Sequence, residues 1–181
     1  MKKIIKVGLV VIIAFTISAC GEKSVKIGNQ KWMAKNLNDA SKGGKCYEDK
    51  PENCKKYGRL YTWEEAMKAC PSGWHLPNNA EWEALATFAG GMGAAGGKLK
   101  AKSGWESGGG GSDEYGFSAM PGGGGLPVGS FLSVGSLGLW WSATEYSADG
   151  AYSWGMTYID SGADERSYGK TNLYSVRCVK D

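Results

Sequence analysis

Four cysteines in the body of the chain, Cys46, Cys54, Cys70 and Cys178, are the residues best suited to chemistry. Four thiols could form two disulfides or could ligate zinc. Zinc is disfavoured because His75 is the only histidine and because no two cysteines have the two-residue spacing of common zinc sites. We therefore predict disulfides and no metal site.

Three pairings of these cysteines are possible. Cys46 and Cys54 lie close together in a polar segment that contains Pro51, so they could close a small ring. That leaves Cys70 and Cys178, whose disulfide would close a long loop and stabilise the fold by up to roughly 4–5 kcal/mol on a chain-entropy argument. We favour this arrangement over the other two.

Acid–base chemistry has few candidate residues. His75 is the one side chain with an ordinary pKa near neutrality, and its place in a tight connector favours a structural role. A serine nucleophile needs a base within reach, and the adjacent carboxylates Glu64 and Glu65 lie on the outward part of a predicted helix. We predict no catalytic residue, no cofactor and no enzymatic activity.

Aromatic residues are numerous, with 8 Trp and 9 Tyr, and several lie in or beside irregular segments. An exposed ring can stack on a sugar or a peptide, and aromatic residues are enriched among binding anchors. We predict a ligand-binding surface from such rings and one neighbouring carboxylate: Trp105, Tyr115, Trp140, Trp141, Glu145 and Tyr146. The alternative is that these rings pin glycine-rich loops that contain few other core-forming side chains.

The N-terminal segment indicates where the protein resides. Lys2, Lys3 and Lys6 accompany an apolar run over residues 7–17, and small residues then lead to Cys20. This pattern is typical of a secretory signal. A cysteine directly after the small residues resembles the lipobox of bacterial lipoproteins, in which the thiol is acylated; an ordinary signal peptide is the alternative.

We therefore predict a lipoprotein signal peptide at 1–19, an acylated tether at 20–25 and one domain at 26–181, located in the cell envelope and most simply at the outer membrane. Of 21 Lys and Arg, removal of the signal peptide removes three, which leaves 18 against 18 Asp and Glu. This even balance argues against a nucleic-acid partner. The predicted partners are the membrane, through the lipid anchor, and a glycan or protein ligand.

The elements that must position these residues follow from the pattern of the chain. Two helices are predicted, one from a capping box at Thr62 and Glu65 and one from a similar box at Asn78 and Glu81. A glycine-rich stretch from about residue 90 to residue 138 is predicted to form long irregular loops.

Strands are predicted at both ends of the domain. Gly28 and Asn29 form a two-residue hairpin signal between short apolar runs. Alternating apolar residues predict three strands near residues 140–142, 152–158 and 174–178. Two helices, a small antiparallel sheet and long glycine-rich loops predict an α+β domain.

Several separated motifs resemble the Fibrobacter succinogenes major paralogous domain. They are GRLYTW at 58–63, CPSGWHLP at 70–77, EW at 81–82, DEYGFSA at 113–119, WWSATE at 140–145 and SVRCV at 175–179. The resemblance spans about residues 26–181 and implies a secreted or surface lipoprotein. It supplies no assigned activity.

A looser resemblance implies a C-type lectin-like fold, which the formylglycine-generating enzymes share. The chain lacks the Glu-Pro-Asn and Trp-Asn-Asp motifs that hold calcium in sugar-binding lectins, and Cys178 has no second cysteine near it to form the reactive pair of the enzymes. We predict a non-catalytic binding or scaffolding module for a glycan or a partner protein. The alternatives are a formylglycine-generating or hydrolytic enzyme and a purely structural envelope protein.

Overall fold

A computed structural model of the protein describes residues 23–181. The predicted signal peptide and the acylation site Cys20 lie outside the described residues. The strands are β1 Ser24–Ile27, β2 Gln30–Met33, β3 Leu60–Tyr61, β4 Trp74–His75, β5 Gly124–Gly125, β6 Phe131–Leu132, β7 Leu137–Glu145, β8 Gly150–Thr157, β9 Asp164–Gly169, β10 Tyr174–Ser175 and β11 Val179–Lys180. The helices are α1 Pro51–Tyr57, α2 Trp63–Ala69, α3 Asn79–Phe88 and α4 Ala95–Leu99, with 3₁₀ turns at Ala40–Lys42, Tyr47–Asp49 and Glu106–Gly108.

The predicted α+β fold class with a C-type lectin-like plan is wrong, because the described chain is mostly β-strand. The described chain forms three sheets, and its helices are few and short. One sheet has the order β1-β2-β11-β4, a second has the order β3-β10-β7-β8-β9, and β5 pairs with β6 alone. The domain is mostly β, and the lectin-like plan is not confirmed.

The hairpin of β1 and β2 follows the predicted turn at Gly28 and Asn29. Gly28 has a positive φ of 58°, which a glycine adopts without strain. Ile27 pairs with Gln30 at the turn end, and Ser24 pairs with Met33 at the open end. Because each residue advances a strand by about 3.4 Å, these two ends lie about 10 Å apart along the hairpin.

Both predicted capping boxes are present. The Thr62 side chain accepts from the Glu65 backbone and the Glu65 carboxylate accepts from the Thr62 backbone at the start of α2, and Asn78 and Glu81 repeat this exchange at α3. Apolar residues at helical spacing predict that Trp63, Ala66, Met67 and Cys70 form the core-facing side of α2. This prediction needs one correction, because Met67 is exposed and Ala69 is buried instead.

Two large packed clusters fill most of the described interior, and β7 lies between them; a third, small cluster contains Tyr47, Leu60 and Leu173. Successive strand residues point to opposite faces of a sheet. Trp140 therefore packs with Trp82 of α3 on one face, whereas Trp141 packs with Trp63 of α2 on the other. Helices cover both faces of this strand, so neither indole reaches solvent.

The glycine-rich stretch is more ordered than the predicted loops. It contains α4 and the β5–β6 pair, and its backbone groups bond to neighbouring elements. At Gly96 an added methyl would lie against the carbonyl of Gly162, so glycine lets α4 approach that loop closely.

Two disulfides join the four cysteines in the favoured pairing, Cys46 with Cys54 and Cys70 with Cys178. Cys178 is fully buried, and its bond fastens the end of α2 to the segment before β11.

A buried guanidinium links the two larger sheets. Arg177 donates to the Asn36 side-chain oxygen from Nε at 3.0 Å and Nη2 at 2.7 Å, and from Nη1 to the carbonyls of Met33 at 3.1 Å and Phe117 at 2.5 Å. Burial lowers the pKa of Arg177 to about 9, against the attraction of Asp113, so the group is still cationic at neutral pH. Trp140 donates to the same Asn36 oxygen at 2.8 Å.

Candidate functional site

Three of the predicted ligand-binding residues are buried, which corrects their proposed role. Trp140 and Trp141 are 0% exposed and Trp105 is 7% exposed. Trp141 donates its indole N–H to the carbonyl of Tyr61 at 2.7 Å, and Trp105 donates to that of Ala119 at 3.1 Å. These rings fill the core and pin the glycine-rich segment, so they offer no face to an external ligand.

Glu145 and Tyr146 lie together at the turn between β7 and β8. Tyr146 is exposed and meets the ring of Tyr152 edge to face at 5.3 Å between centroids. Glu145 accepts from Lys170 at 2.7 Å. Tyr115 lies elsewhere, beside α3, so the structure does not gather the predicted residues into one surface.

An open groove of about 590 Å³ lies between the β1–β2 turn and α3. We call it the aromatic groove. Its lining residues are Ile27, Gly28, Asn29, Gln30, Ala80, Glu83, Ala84, Thr87 and Phe88.

Helix α3 forms the floor of the aromatic groove through its outward face. Trp82, Leu85 and Ala86 turn into the core, so the residues between them face solvent. Ala80 and Ala84 lie one turn apart, and their small side chains leave room above the helix.

Phe88 lies at one end of the aromatic groove and is 51% exposed. The Gly28 turn contacts the Phe88 ring so closely that an added Cβ would lie 3.0 Å from it. Tyr115 packs on the other side of Phe88, with ring centroids 5.3 Å apart. The predicted Tyr115 therefore supports the groove, and Lys98 lies 6.0 Å from the Tyr115 ring centroid.

Gln30 fixes the hairpin to the helix. Its side-chain nitrogen donates to the carbonyl of Glu81 at 3.0 Å, and its oxygen accepts from the indole of Trp32 at 3.3 Å. Because Trp32 is fully buried, the wall of the groove is anchored in the core. The hydrogen bond to Glu81 therefore ties the hairpin wall of the groove directly to its helical floor.

The N-terminal end of α3 carries a charged cluster around His75. Its Nε2 lies 2.8 Å from Glu81 Oε1, and its Nδ1 lies 2.5 Å from Asp181 Oδ1. Partial burial lowers the pKa of His75, but the hydrogen bonds to Asp181 and Glu81 outweigh that effect, so the pKa is raised. Both ring nitrogens are engaged by carboxylates, which fits the predicted structural role.

The chemistry of the aromatic groove is that of binding. Glu83 is its one ionisable lining residue, and Asn29 and Thr87 supply an amide and a hydroxyl. Within residues 23–181, no group of three His, Cys, Asp or Glu side chains could hold a metal ion. The groove combines an exposed ring with a few polar groups, as recognition sites do.

The sequence prediction missed Phe88, although a signal for it was present. The spacing of apolar residues predicts a core-facing stripe of Trp82, Leu85, Ala86 and Ala89 on α3, and all four are buried. Phe88 lies off that stripe, on the side of an amphipathic helix where polar residues are expected. An aromatic ring at such a position indicates a contact outside the core.

Comparisons with known proteins give one match. The sequence model described as the Fibrobacter succinogenes major domain matches residues 25–180. No curated protein and no solved structure matches the chain. Because the match covers nearly all of the domain, the chain belongs to the Fibrobacter succinogenes major domain family.

Proposed function

We propose that the protein is a lipid-anchored, non-catalytic binding module of the cell envelope, with the aromatic groove as its ligand site. The observation that carries this proposal is the half-exposed ring of Phe88 at the end of an open groove. The core gains little from a ring in that position, whereas a ligand could cover it.

The lining of the aromatic groove favours a glycan or an extended segment of a partner protein. A sugar ring or an apolar side chain can lie on the Phe88 face, while Asn29, Glu83 and Thr87 offer hydrogen bonds to hydroxyl or amide groups at its edge. The pre-formed walls reduce the entropy that a ligand must overcome on binding.

The proposed anchor is the acylated Cys20 that follows the signal-like segment. Several acyl chains on one residue would hold the domain stably at a membrane, most simply the outer membrane. Within the described part of the chain, none of the helices has the length and apolar character needed to cross a membrane. Mass spectrometry of the protein from its host should find acyl chains on Cys20, and an unmodified thiol there would contradict the anchor.

The enzyme alternative is not favoured by the described residues. A formylglycine-generating mechanism needs a pair of reactive thiols, and all four cysteines within residues 23–181 are in disulfides. His75 is held between two carboxylates and has no serine or cysteine as a hydrogen-bond partner.

Substitution of Phe88 tests the ligand site. Glycan-array and pull-down experiments should find a ligand for the folded protein, and F88A should weaken its binding by about tenfold or more because an aromatic anchor is lost. I159A is the control, since Ile159 is an exposed apolar side chain outside the groove. No ligand for the folded protein, or equal binding by F88A and the wild type, would contradict the proposal.

A further inference from the structure

Lysines dominate the segment that follows the proposed anchor. Residues 23–38 contain four lysines and no acidic residue, although the mature chain as a whole is balanced in charge. Lys26 and Lys31 are exposed and pair directly across β1 and β2. Like charges placed opposite one another destabilise a sheet, so the hairpin carries them at a cost to its own stability.

Two neighbouring grooves collect further lysines at the open end of this hairpin. One, of about 480 Å³, is lined by Lys23 and Lys35, and the other, of about 470 Å³, is lined by Lys35, Lys55 and Lys56. The two grooves share Lys35, Asn36 and Asn38. We call Lys23, Lys35, Lys55 and Lys56 the lysine face.

Among residues 23–181, no lysine of the lysine face forms an ion pair with a carboxylate. Asp39 lines the first groove as a carboxylate, but the cations that act on it are Lys42 and Arg59. Asp113 accepts from Ser118, which lines the second groove. Glu52 lies on the same helix as Lys55 and Lys56 without forming an ion pair to either. In the described part of the chain, the lysines in ion pairs are Lys50, Lys98 and Lys170.

The chain itself limits how far this face can lie from the anchor. Only Gly21 and Glu22 separate Cys20 from Lys23, and the three residue steps between them span at most about 11 Å when fully extended. Acylation at Cys20 would therefore hold Lys23 within about one Debye length of the lipid headgroups.

We infer that the lysine face binds the phosphate headgroups of the membrane that holds the acyl chains. This inference rests on the proposed anchoring at Cys20. Lysines close to an anionic surface add to the affinity of a lipid anchor and orient the attached domain. The aromatic groove lies at the turn end of the same hairpin, so this orientation turns it away from the membrane and toward external ligands.

Lysine footprinting on vesicles tests the orientation. The acylated protein is placed in vesicles of phosphatidylcholine alone, or of equal parts phosphatidylcholine and phosphatidylglycerol, and its lysines are acetylated and mapped by mass spectrometry. We expect the lysine face to react several-fold more slowly in the anionic vesicles. Lys42, Lys68 and Lys102, which line neither groove, should react equally in both and serve as internal controls.

High salt should remove the protection because it screens surface charge. Equal acetylation of the lysine face in both vesicle types, or the same slowing at the control lysines, would overturn the inference.

A charge-neutralising variant provides the second arm. K35Q/K55Q/K56Q should remove the protection of Lys23, whereas the matched variant K42Q/K68Q/K102Q should keep it. Thermal unfolding checks that both variants are folded. Continued protection of Lys23 in the first variant would contradict a role for the lysine face.

Failure of the anchor is distinguishable from failure of the lysine face. If the host protein proves unacylated at Cys20, its co-sedimentation with the same vesicles tests headgroup binding by the lysine face without the anchor. Binding to anionic vesicles, weakened about fivefold for each lysine replaced, would support the face. Absence of binding at low salt would overturn it.

Discussion

Arg177 illustrates a buried cation that is held without a carboxylate contact. Its guanidinium bonds to two backbone carbonyls and to Asn36, and it lies 4.3 Å from the centroid of the Phe117 ring. Hydrogen bonds from a charged donor contribute more than neutral ones, and their loss leaves buried acceptors unsatisfied. The side chain therefore connects β2, the segment around Phe117 and the C-terminal strands.

We predict that R177M destabilises the protein by about 3 kcal/mol or more, because methionine fills space but donates nothing to these acceptors. Urea denaturation measures the change. R177K should be intermediate, since an ammonium keeps the charge but lacks the planar fork of donors. An unchanged midpoint for R177M would contradict this account of Arg177.

His75 makes stability depend on pH. Its folded-state pKa is raised, because the hydrogen bonds to Asp181 and Glu81 outweigh partial burial. A raised pKa contributes stability that is fully present below the unfolded value of about 6.5 and is lost as the pH rises through the folded value. We expect the difference in unfolding free energy between the wild type and H75Q to be largest between about pH 5 and 6.5 and smaller in alkaline solution.

Denaturation of both proteins across this range measures the difference. E81Q is the control, because it weakens one of the two contacts of His75 and should reduce the pH dependence partly. A gap between wild type and H75Q that widens with rising pH would contradict the assignment.

At the scale of elements, α3 connects the core to the aromatic groove. Asn78 caps the helix, and Glu81 both completes the capping box and contacts His75. We predict that N78A lowers the unfolding free energy by about 1 kcal/mol, whereas N78S, which keeps a capping oxygen, has a smaller effect. Thermal or urea unfolding compares N78A with N78S. An equal loss of unfolding free energy in both variants would mean that the side-chain oxygen at residue 78 does not stabilise the helix.

Local chemistry made several elements predictable. The hairpin at Gly28 and both capping boxes depend on residues a few positions apart, so the sequence alone indicated them. β9 was not predicted, because Asp164, Glu165 and Arg166 hide its strand character at an exposed edge. The β5–β6 pair was missed because its first strand consists of two glycines.

The site was harder to predict than the elements. Trp140 and Trp141 follow the glycine-rich stretch, and this place beside an irregular segment is the reason to predict them as ligand-binding residues. The structure buries both because α2 and α3 cover opposite faces of β7, an arrangement that only tertiary packing decides. Phe88 and the hairpin turn come together for the same reason.

At the scale of the whole molecule, the two disulfides constrain the chain very differently. Cys70 and Cys178 are separated by 108 residues, whereas Cys46 and Cys54 are separated by 8. On the loop-entropy argument, C70A/C178A should cost about 4–5 kcal/mol and C46A/C54A about 2–3 kcal/mol. Guanidinium denaturation of the two variants compares these losses directly, and a larger loss for the short loop would contradict the entropic account.

The outer edge of the five-stranded sheet has a consequence for crowding. β9 exposes unpaired backbone groups, but its side chains include two acids and an arginine. Charged edge strands discourage pairing with the edge of another molecule. Under the proposed anchoring, many copies would share a two-dimensional film at high local density, and each would stay an independent particle instead of polymerising into fibrils with its neighbours.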